Sequence, residues 1–336
     1  MALMPHSRPM PSPTAGRLRR RSVLSAVATI ALPSLVRAQE YPTRPIRMMV
    51  GFAPGGGVDV SGRIVAPRLG EELRTSWVVE NRAGASGMIC SEYVAKSAPD
   101  GYTLMYTGGS AVTIAPQLVA RPPIDSLQDL VPVNMVGGSP LVLSLSPSAG
   151  VRNLAEFLAL ARSKPVSLGS AGAGTLTHLT IEMLGQATGN KIIHVPYKGG
   201  GAAVVDALAG HVQGMISDPP PVLQHFQEGR LLPIAVTSDR RLDGLPGVPT
   251  LSEALPGMTA IAWNGFFAPA KTPQAIVERL SAAIVKVCSQ DDVAAQLRKA
   301  GVIPSALGSP EEFRRFVAAE SERWGRLVRE KKITAG

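Results

Sequence analysis

The feature that most constrains the fold is a repeated order of short apolar strand, glycine-containing turn and amphipathic helix. Strands that alternate with helices of this length form parallel sheets with helices on both faces. The sequence therefore predicts an α/β fold with parallel sheets. The apolar runs that predict strands are 46–50, 77–80, 102–107, 166–170, 191–195, 212–217 and 231–237.

Two longer extended segments, 133–147 and 259–270, interrupt this order, and the chain after the second is helical to its end. About 300 residues are more than one hydrophobic core usually serves. A middle domain inserted between the two extended segments would leave both chain ends in the other domain. We therefore expect two lobes that close on a ligand at a hinge. Lobe 1 is predicted to hold residues 39–138 and 260–336, and lobe 2 residues 139–259.

Residues 1–38 have the pattern of a cleaved export signal. They contain six arginines and no acidic residue. The apolar stretch after Arg21 is shorter than the roughly 20 residues of a membrane span, and the small residue Ala38 precedes the expected cut. The arginine pair before "SVL" also fits a twin-arginine signal, and a membrane anchor is the alternative. We expect a periplasmic protein.

Charge and cysteine content exclude several classes of protein. Removal of the six signal arginines lowers the formal net charge from +9 to +3, so the basic character gives little support to nucleic-acid binding. The chain has two cysteines, Cys90 and Cys288. Two are too few for a disulfide-dense scaffold, and they lie too far apart in sequence for the usual spacing of metal ligands. One disulfide is chemically possible in the periplasm, but two separate buried thiols are favoured.

Four loops carry glycine between a predicted strand and a predicted helix: 53–61, 82–91, 169–178 and 197–206. The first turn of a helix has unpaired N–H groups and a partial positive charge, and glycine lets a ligand approach them. In parallel α/β sheets such loops lie at the edge where ligands bind. Each loop alone is as well explained as a tight turn, but four together favour a shared anionic ligand.

Four polar side chains near these loops have two interpretations each. Asp59 is favoured as a structural residue that accepts loop N–H groups, and the alternative is contact with a ligand ammonium or hydroxyl. Asp218, in "MISDPPP", is either a helix N-cap or a lining residue that selects among ligands. His178 is expected to be a core or supporting residue. Lys198 is either a carboxylate partner or a solvated side chain.

The usual enzyme motifs are missing. "LGSAG" at 168–172 lacks the first glycine of a nucleophile elbow, and neither a P-loop nor a dinucleotide fingerprint occurs. The five histidines have no zinc-site spacing. We predict a binding protein without catalytic residues, cofactor or metal. An exported hydrolase stays as the alternative, because a triad can be assembled from residues distant in sequence.

Several motifs along the chain, taken in order, resemble one family. They include "MVGFAPGGGVDVSGR", "SAPDGYTLMYT", "GSAGAGTLTHL", "HVPYKGGGAAVVDALAGHV" and "WNGFFAPAKTP". Their order and spacing are similar to those of the Bug-type extracytoplasmic solute receptors, the TctC-like binding components of tripartite tricarboxylate transporters. The resemblance covers essentially the whole chain after the signal. It implies a type II periplasmic binding-protein fold, in which two α/β lobes joined by crossing strands close on a small solute.

The resemblance also implies the ligand and its partners. The expected solute is a small organic compound, first of all a carboxylate. The expected partners are the permease subunits of the transporter, although a sensor without transport is an alternative, and a monomer is expected. The residues implied in ligand binding are Gly56, Gly57, Asp59, Ser86, Gly109, Ser110, Ser139, Ala173, Thr175 and Asp218.

Two departures from the family pattern bear on these expectations. The second loop reads "NRAGASG" where the family commonly has "NRPGAGG", so Ser86 adds a hydroxyl near the cleft. Pro67 falls about ten residues into the first predicted helix, where it is expected to kink or end that helix.

Overall fold

The computed structural model describes residues 41–189, 192–242, 244–330 and 332–333. The predicted signal, residues 1–38, lies outside the described residues. The described strands are β1 (Ile46–Val50), β2 (Trp77–Asn81), β3 (Thr103–Gly108), β4 (Leu130–Pro140), β5 (Val142–Leu145), β6 (Val166–Ser170), β7 (Ile192–Pro196), β8 (Gly214–Ser217), β9 (Leu232–Val236), β10 (Ile261–Pro269) and β11 (Ile303–Pro304). The described helices are α1 (Gly57–Leu73), α2 (Met88–Ala95), α3 (Ser110–Thr113), α4 (Leu154–Ser163), α5 (Leu176–Thr188), α6 (Gly200–Ala209), α7 (Leu223–Gln227), α8 (Gln274–Cys288), α9 (Asp291–Lys299) and α10 (Pro310–Glu330).

The strands form two sheets. Sheet A has the order β11-β4-β10-β3-β1-β2, and sheet B has the order β7-β6-β8-β5-β9. The βα units pair in parallel, as predicted: β1 with β2 and β3, and β6 with β7 and β8. The strands next to the crossings pair antiparallel, β10 with β3 and β4, and β5 with β8 and β9. The α/β prediction is confirmed, but the sheets are mixed rather than parallel throughout, because a chain that crosses and returns enters each sheet in the opposite direction.

The two crossings between the sheets lie side by side and are hydrogen-bonded to each other. Only Leu141 separates β4 in sheet A from β5 in sheet B, and the return crossing runs from β9 to β10. Thr237 joins them: its N–H donates to the Leu141 carbonyl at 2.9 Å, and its Oγ1 accepts from the Leu141 N–H at 2.7 Å. The Ala260 N–H donates to the Thr237 carbonyl at 2.9 Å. Both crossings are thus tied at one place.

Helices cover both faces of sheet A because adjacent strand residues are apolar and point to opposite faces. Met48 packs in a cluster with residues of α1 and α8, whereas Met49 packs with residues of α2 and α10. Cys288 belongs to the first of these clusters and Cys90 to the second, and both are free and buried. The prediction of two separate buried thiols is confirmed.

The C-terminal helix α10 packs against both halves of the molecule. Phe313 and Val317, in its first half, belong to the second cluster of sheet A. Trp324 and Val328, in its second half, belong to a cluster made mostly of sheet B residues such as Leu143. A single helix therefore spans the two sheets.

Helix α1 does not end at Pro67 but continues to Leu73. The expectation of an early end is wrong. Proline removes one helical hydrogen bond, but Val65, Ala66 and Leu69 around it are all buried, and this burial offsets the loss. None of the helices in the described part of the chain combines the length and apolar character needed to cross a membrane.

Candidate ligand-binding site

A small cavity lies between the two sheets and is called here the interlobe cavity. Its volume is about 50 Å³, which is room for a few water molecules. The N-terminal ends of α1, α3, α5 and α6 reach it, together with the start of β10 and one face of α10. Its lining residues are Phe52, Gly56, Gly57, Val58, Gly108, Gly109, Ser110, Thr113, Ile114, Leu141, Ala171, Thr175, Leu176, Thr177, Gly200, Asp218, Ile261, Ala262, Trp263, Asn264, Glu320 and Trp324.

The first turn of α1 meets Asp218 from the opposite side of the cavity. A Cβ added at Gly57 would lie 2.3 Å from the Asp218 Oδ2 and 2.8 Å from its Cβ, so only glycine allows the Asp218 side chain to approach the α1 backbone this closely. No side chain caps this helix. Among the described residues, no hydrogen-bond acceptor is found for the N–H groups of Gly57 and Val58. This turn therefore keeps free donors at the cavity.

The first turn of α5 is instead capped by its own sequence. Thr175 Oγ1 accepts from the His178 N–H at 3.3 Å and donates to the Gly172 carbonyl at 2.6 Å. The next donor, the Leu176 N–H, reaches across the cavity to Ser110 Oγ at 2.9 Å. This hydrogen bond joins a residue that follows sheet B strand β6 to one that follows sheet A strand β3.

Buried polar and aromatic groups support the sheet A side of the cavity. Ser61 Oγ lies 2.9 Å from the Tyr106 hydroxyl, donates to the Gly57 carbonyl at 2.8 Å and accepts from Asn264 Nδ2 at 3.2 Å. Trp263 lies directly against Gly109, where an added Cβ would come within 2.2 Å of the indole ring. These contacts fix the position of the α1 first turn and of the loop before α3.

Asp59 is buried and does not line the interlobe cavity. Its carboxylate accepts hydrogen bonds from the Gly55 N–H at 3.0 Å, from Arg63 Nε at 3.0 Å and from Asn81 Nδ2 at 2.8 Å. Burial alone would raise the Asp59 pKa, but these hydrogen bonds outweigh it and lower the pKa. Asp59 thus holds the shape of loop 53–57, as its structural interpretation expected.

Three other predicted residues also lie outside the interlobe cavity. Ser86 and Ala173 line a second cavity of about 280 Å³ together with Lys198, whose side chain is exposed. The Ser86 hydroxyl donates to the Ala173 carbonyl. Together with the Ser110–Leu176 hydrogen bond, this is a second contact between the sheet A side and the sheet B side of the molecule. Ser139 is buried in β4, and its Oγ has no hydrogen-bond partner among the described residues. The structure thus brings Gly56, Gly57, Gly109, Ser110, Thr175 and Asp218 together at one cavity.

The charges at the interlobe cavity are acidic. Asp218 and Glu320 line it, and no lysine, arginine or histidine does among the residues that the structure describes. Glu320 is paired, since it accepts from Trp324 Nε1 at 2.8 Å and lies 3.3 Å from Arg323. The Asp218 carboxylate forms no ion pair within the described part of the chain, and burial raises its pKa to about 6. Asp218 follows β8 and lies five residues before α7, so it is not the N-cap of that helix.

Among the described residues, His178, Glu182 and His194 offer three side-chain ligand atoms within 4.8 Å of one another. The two imidazoles are stacked, with ring centroids 4.0 Å apart and an angle of 17° between the rings. Stacked rings direct their nitrogen lone pairs side by side rather than toward one ion. Burial lowers the pKa of His178 to about 4 and that of His194 to about 3. Both rings are therefore neutral near pH 7 and support loop 170–174 through Ser170 and the Gly174 N–H.

Sequence reasoning did not select several of the lining residues. Trp263 and Asn264 stand in the quoted motif "WNGFFAPAKTP", which could have pointed to them. Glu320 and Trp324 lie in an amphipathic helix far along the chain, where no local motif distinguishes a cavity-facing residue from an ordinary buried one.

Comparisons with known proteins agree with this architecture. The family model of the tripartite tricarboxylate transporter family receptor, TctC, matches residues 62–333. The protein BugT of Bordetella pertussis is 38% identical over 308 residues, which cover 90% of this chain and 94% of BugT.

Two solved structures from Rhodopseudomonas palustris are also similar. One, solved with adipate, has a TM-score of 0.84 and 32% identity, covering 88% of this chain and 99% of that chain. The other, MatC with bound malate, has a TM-score of 0.81 and 28% identity, covering 86% of this chain and 99% of that chain. The chain belongs to the TctC receptor family, a family of periplasmic solute-binding proteins.

Proposed function

We propose that this receptor captures a small organic acid in the interlobe cavity and delivers it to the membrane permease subunits of a tripartite transporter. The observation that carries the proposal is the uncapped first turn of α1, whose free N–H groups face a cavity between two lobes. Adipate and malate, bound by two similar proteins, are both carboxylates. One helix end contributes only about 0.3–1 kcal/mol, so several groups must act together.

Closure of the two lobes is the proposed mechanism. Lobe 1 comprises residues 39–138 and 260–336, and lobe 2 residues 139–259. The ligand bridges both lobes and stabilises the closed state by the difference between its affinities for the closed and open states. The contacts Ser110–Leu176 and Ser86–Ala173 stabilise the same state.

The receptor is proposed to act without catalysis, as a monomer, in the periplasm after removal of residues 1–38. Ser170 and His194 are the pair nearest to a nucleophile and base, with Ser170 Oγ 2.6 Å from His194 Nε2. Ser170 is fully buried, and neither residue lines the interlobe cavity. A substrate in that cavity therefore has no access to the pair, and nothing at the site favours the hydrolase alternative.

A thermal-shift screen of residues 39–336 tests the proposal. The screen uses several hundred small carboxylates, amino acids and amides. A ligand at about 100 times its dissociation constant stabilises the folded state by about 2.7 kcal/mol, which is a shift of several degrees. A shift confined to one chemical class supports the receptor function. No shift from any compound, with folded protein free of copurified ligand, contradicts it, and turnover of chromogenic esters would favour the hydrolase.

A further inference from the structure

A protein carboxylate, that of Asp218, lies beside the α1 turn whose N–H groups are proposed to bind the ligand. Asp218 approaches Gly57 so closely that no Cβ fits between them. Asp218 also lines the interlobe cavity and has no cationic partner among the described residues. A second anion placed beside it in this cavity would be repelled, since like charges in contact cost several kcal/mol.

In the described part of the chain, the rest of the cavity wall offers no positive side chain to offset this repulsion. Its described lining residues include two acids and no lysine, arginine or histidine. The positive potential comes from helix N-termini and hydrogen-bond donors. At the α5 end, the Ser110 hydroxyl accepts from the Leu176 N–H and keeps its own hydrogen for a ligand acceptor. The α1 N–H groups and the Ser110 hydroxyl are therefore suited to ligand acceptors, and the Asp218 carboxylate is suited to a ligand donor.

We propose that Asp218 selects ligands that carry a hydrogen-bond-donating group, a protonated amine or an amide, at the end opposite their carboxylate, and that it rejects dicarboxylates of equal length. This inference rests on the proposed function and names its ligand class. An ammonium group paired with Asp218 supplies the missing positive charge, whereas an amide supplies N–H donors without charge. The small cavity volume favours short compounds.

The test compares three compounds of one chain length: succinate, its monoamide succinamate and 4-aminobutanoate. Dissociation constants are measured by calorimetry at pH 8 on residues 39–336, and the series is repeated from three to six carbons. We expect the amine or the amide to bind at least tenfold more tightly than the matched dicarboxylate. In Asp218→Asn this preference falls at least tenfold. In Asp239→Asn, which removes an exposed carboxylate of the same lobe, the preference stays as in the wild type.

A pH series on the wild type tests the same inference without a substitution, so it remains valid if the Asp218→Asn variant misfolds. Because burial raises the Asp218 pKa to about 6, lowering the pH from 8 to 5 protonates it and reduces its repulsion of a dicarboxylate. The other charged groups at or near the cavity are paired or lie apart from it: Asp59 pairs with Arg63, Glu320 at the same cavity pairs with Arg323, and Lys198 lines the second cavity. The preference for amine over dicarboxylate therefore shrinks at pH 5. Any pH dependence that remains in Asp218→Asn belongs to the compounds themselves.

The outcomes separate this inference from the proposed function. If dicarboxylates bind the wild type as tightly as their matched amines and amides, the inference is overturned and the receptor function stands. If no compound of the series binds, the inference is overturned, and the wider thermal-shift screen decides the function. If the wild type prefers the donor-bearing compound, and Asp218→Asn loses this preference while Asp239→Asn keeps it, the result supports both the inference and the receptor function.

Discussion

The first turns of α1 and α5 face the same cavity from opposite lobes, yet they satisfy their N–H groups in different ways. The α1 turn is built from glycine and has no side-chain cap. In the α5 turn, the His178 N–H donates to the N-cap residue Thr175, and the Leu176 N–H donates to Ser110 of the other lobe. The bare turn leaves two N–H groups without an acceptor among the described residues and allows close approach of Asp218 from the opposite lobe. The capped turn uses its donors for stability and for closure.

The comparison divides the expected effects of substitution into two kinds. Changes in the α1 turn should alter binding and leave the unliganded fold intact, because the contacts at stake lie between lobes. Changes in the α5 cap should alter the free energy of unfolding, because the contacts at stake lie within one lobe.

The largest effect is expected for Gly57→Ala. The new Cβ would meet the Asp218 Oδ2 at 2.3 Å and the Asp218 Cβ at 2.8 Å, so moving the carboxylate alone cannot relieve the clash. Overpacking of this kind costs about 1–3 kcal/mol, and we expect about ten- to hundredfold weaker binding of the compound with the largest thermal shift.

The control for Gly57→Ala is its neighbour Gly56→Ala, where an added Cβ meets no atom nearer than 3.5 Å. Calorimetry measures binding, and the melting temperature of unliganded protein measures folding. Equal losses of affinity in the two variants would contradict the claim that binding depends on the close contact between Gly57 and Asp218.

An intermediate effect, on stability, is expected for Thr175→Ala. Loss of the N-cap hydroxyl costs about 0.5–2 kcal/mol, which lowers the melting temperature by about 2–4 °C for each kcal/mol. Thr175→Ser keeps the hydroxyl and should melt close to the wild type. If both variants melt as the wild type does, the cap contributes nothing, and the contrast between the two turns fails.

The smallest effect is expected for Ser110→Ala, which removes the acceptor of the Leu176 N–H across the cavity. A hydrogen bond of this kind contributes about 1 kcal/mol, so binding should weaken about fivefold, with no change in the unliganded melting temperature. A lower melting temperature with unchanged affinity would show that the hydrogen bond supports the fold rather than closure.

Local pattern was enough to locate most of the secondary structure. Strands predicted at 46–50 and 166–170 are found with the same bounds, because a buried strand followed by a glycine turn is a signal contained in a few residues. Strand direction was predicted correctly only for the βα units. Whether β10 runs parallel or antiparallel to β3 depends on where the chain crosses between sheets, and this is a property of the whole molecule.

The candidate site could be predicted only in part, for a similar reason. The glycine loops predicted the first turns of α1 and α5. The sequence did not show that the α1 turn has no side-chain cap whereas the α5 turn has one. Nor could it show that Asp218 would meet Gly57, since the two are 161 residues apart (218 − 57) and follow strands of different sheets. The α10 residues at the cavity carried no signal, because their pattern is that of any amphipathic helix.

The placement of aromatic residues makes ligand binding optically visible without a label. The chain has three tryptophans, and two of them, Trp263 and Trp324, line the interlobe cavity on different elements. The third, Trp77, lies in β2 and packs against Phe266 instead. Indole fluorescence depends on the polarity around the ring. A solute that displaces water from this cavity therefore changes the fluorescence of Trp263 and Trp324, two of the three tryptophans. A titration followed at a single emission wavelength then records occupancy directly, with Trp77→Phe removing the background.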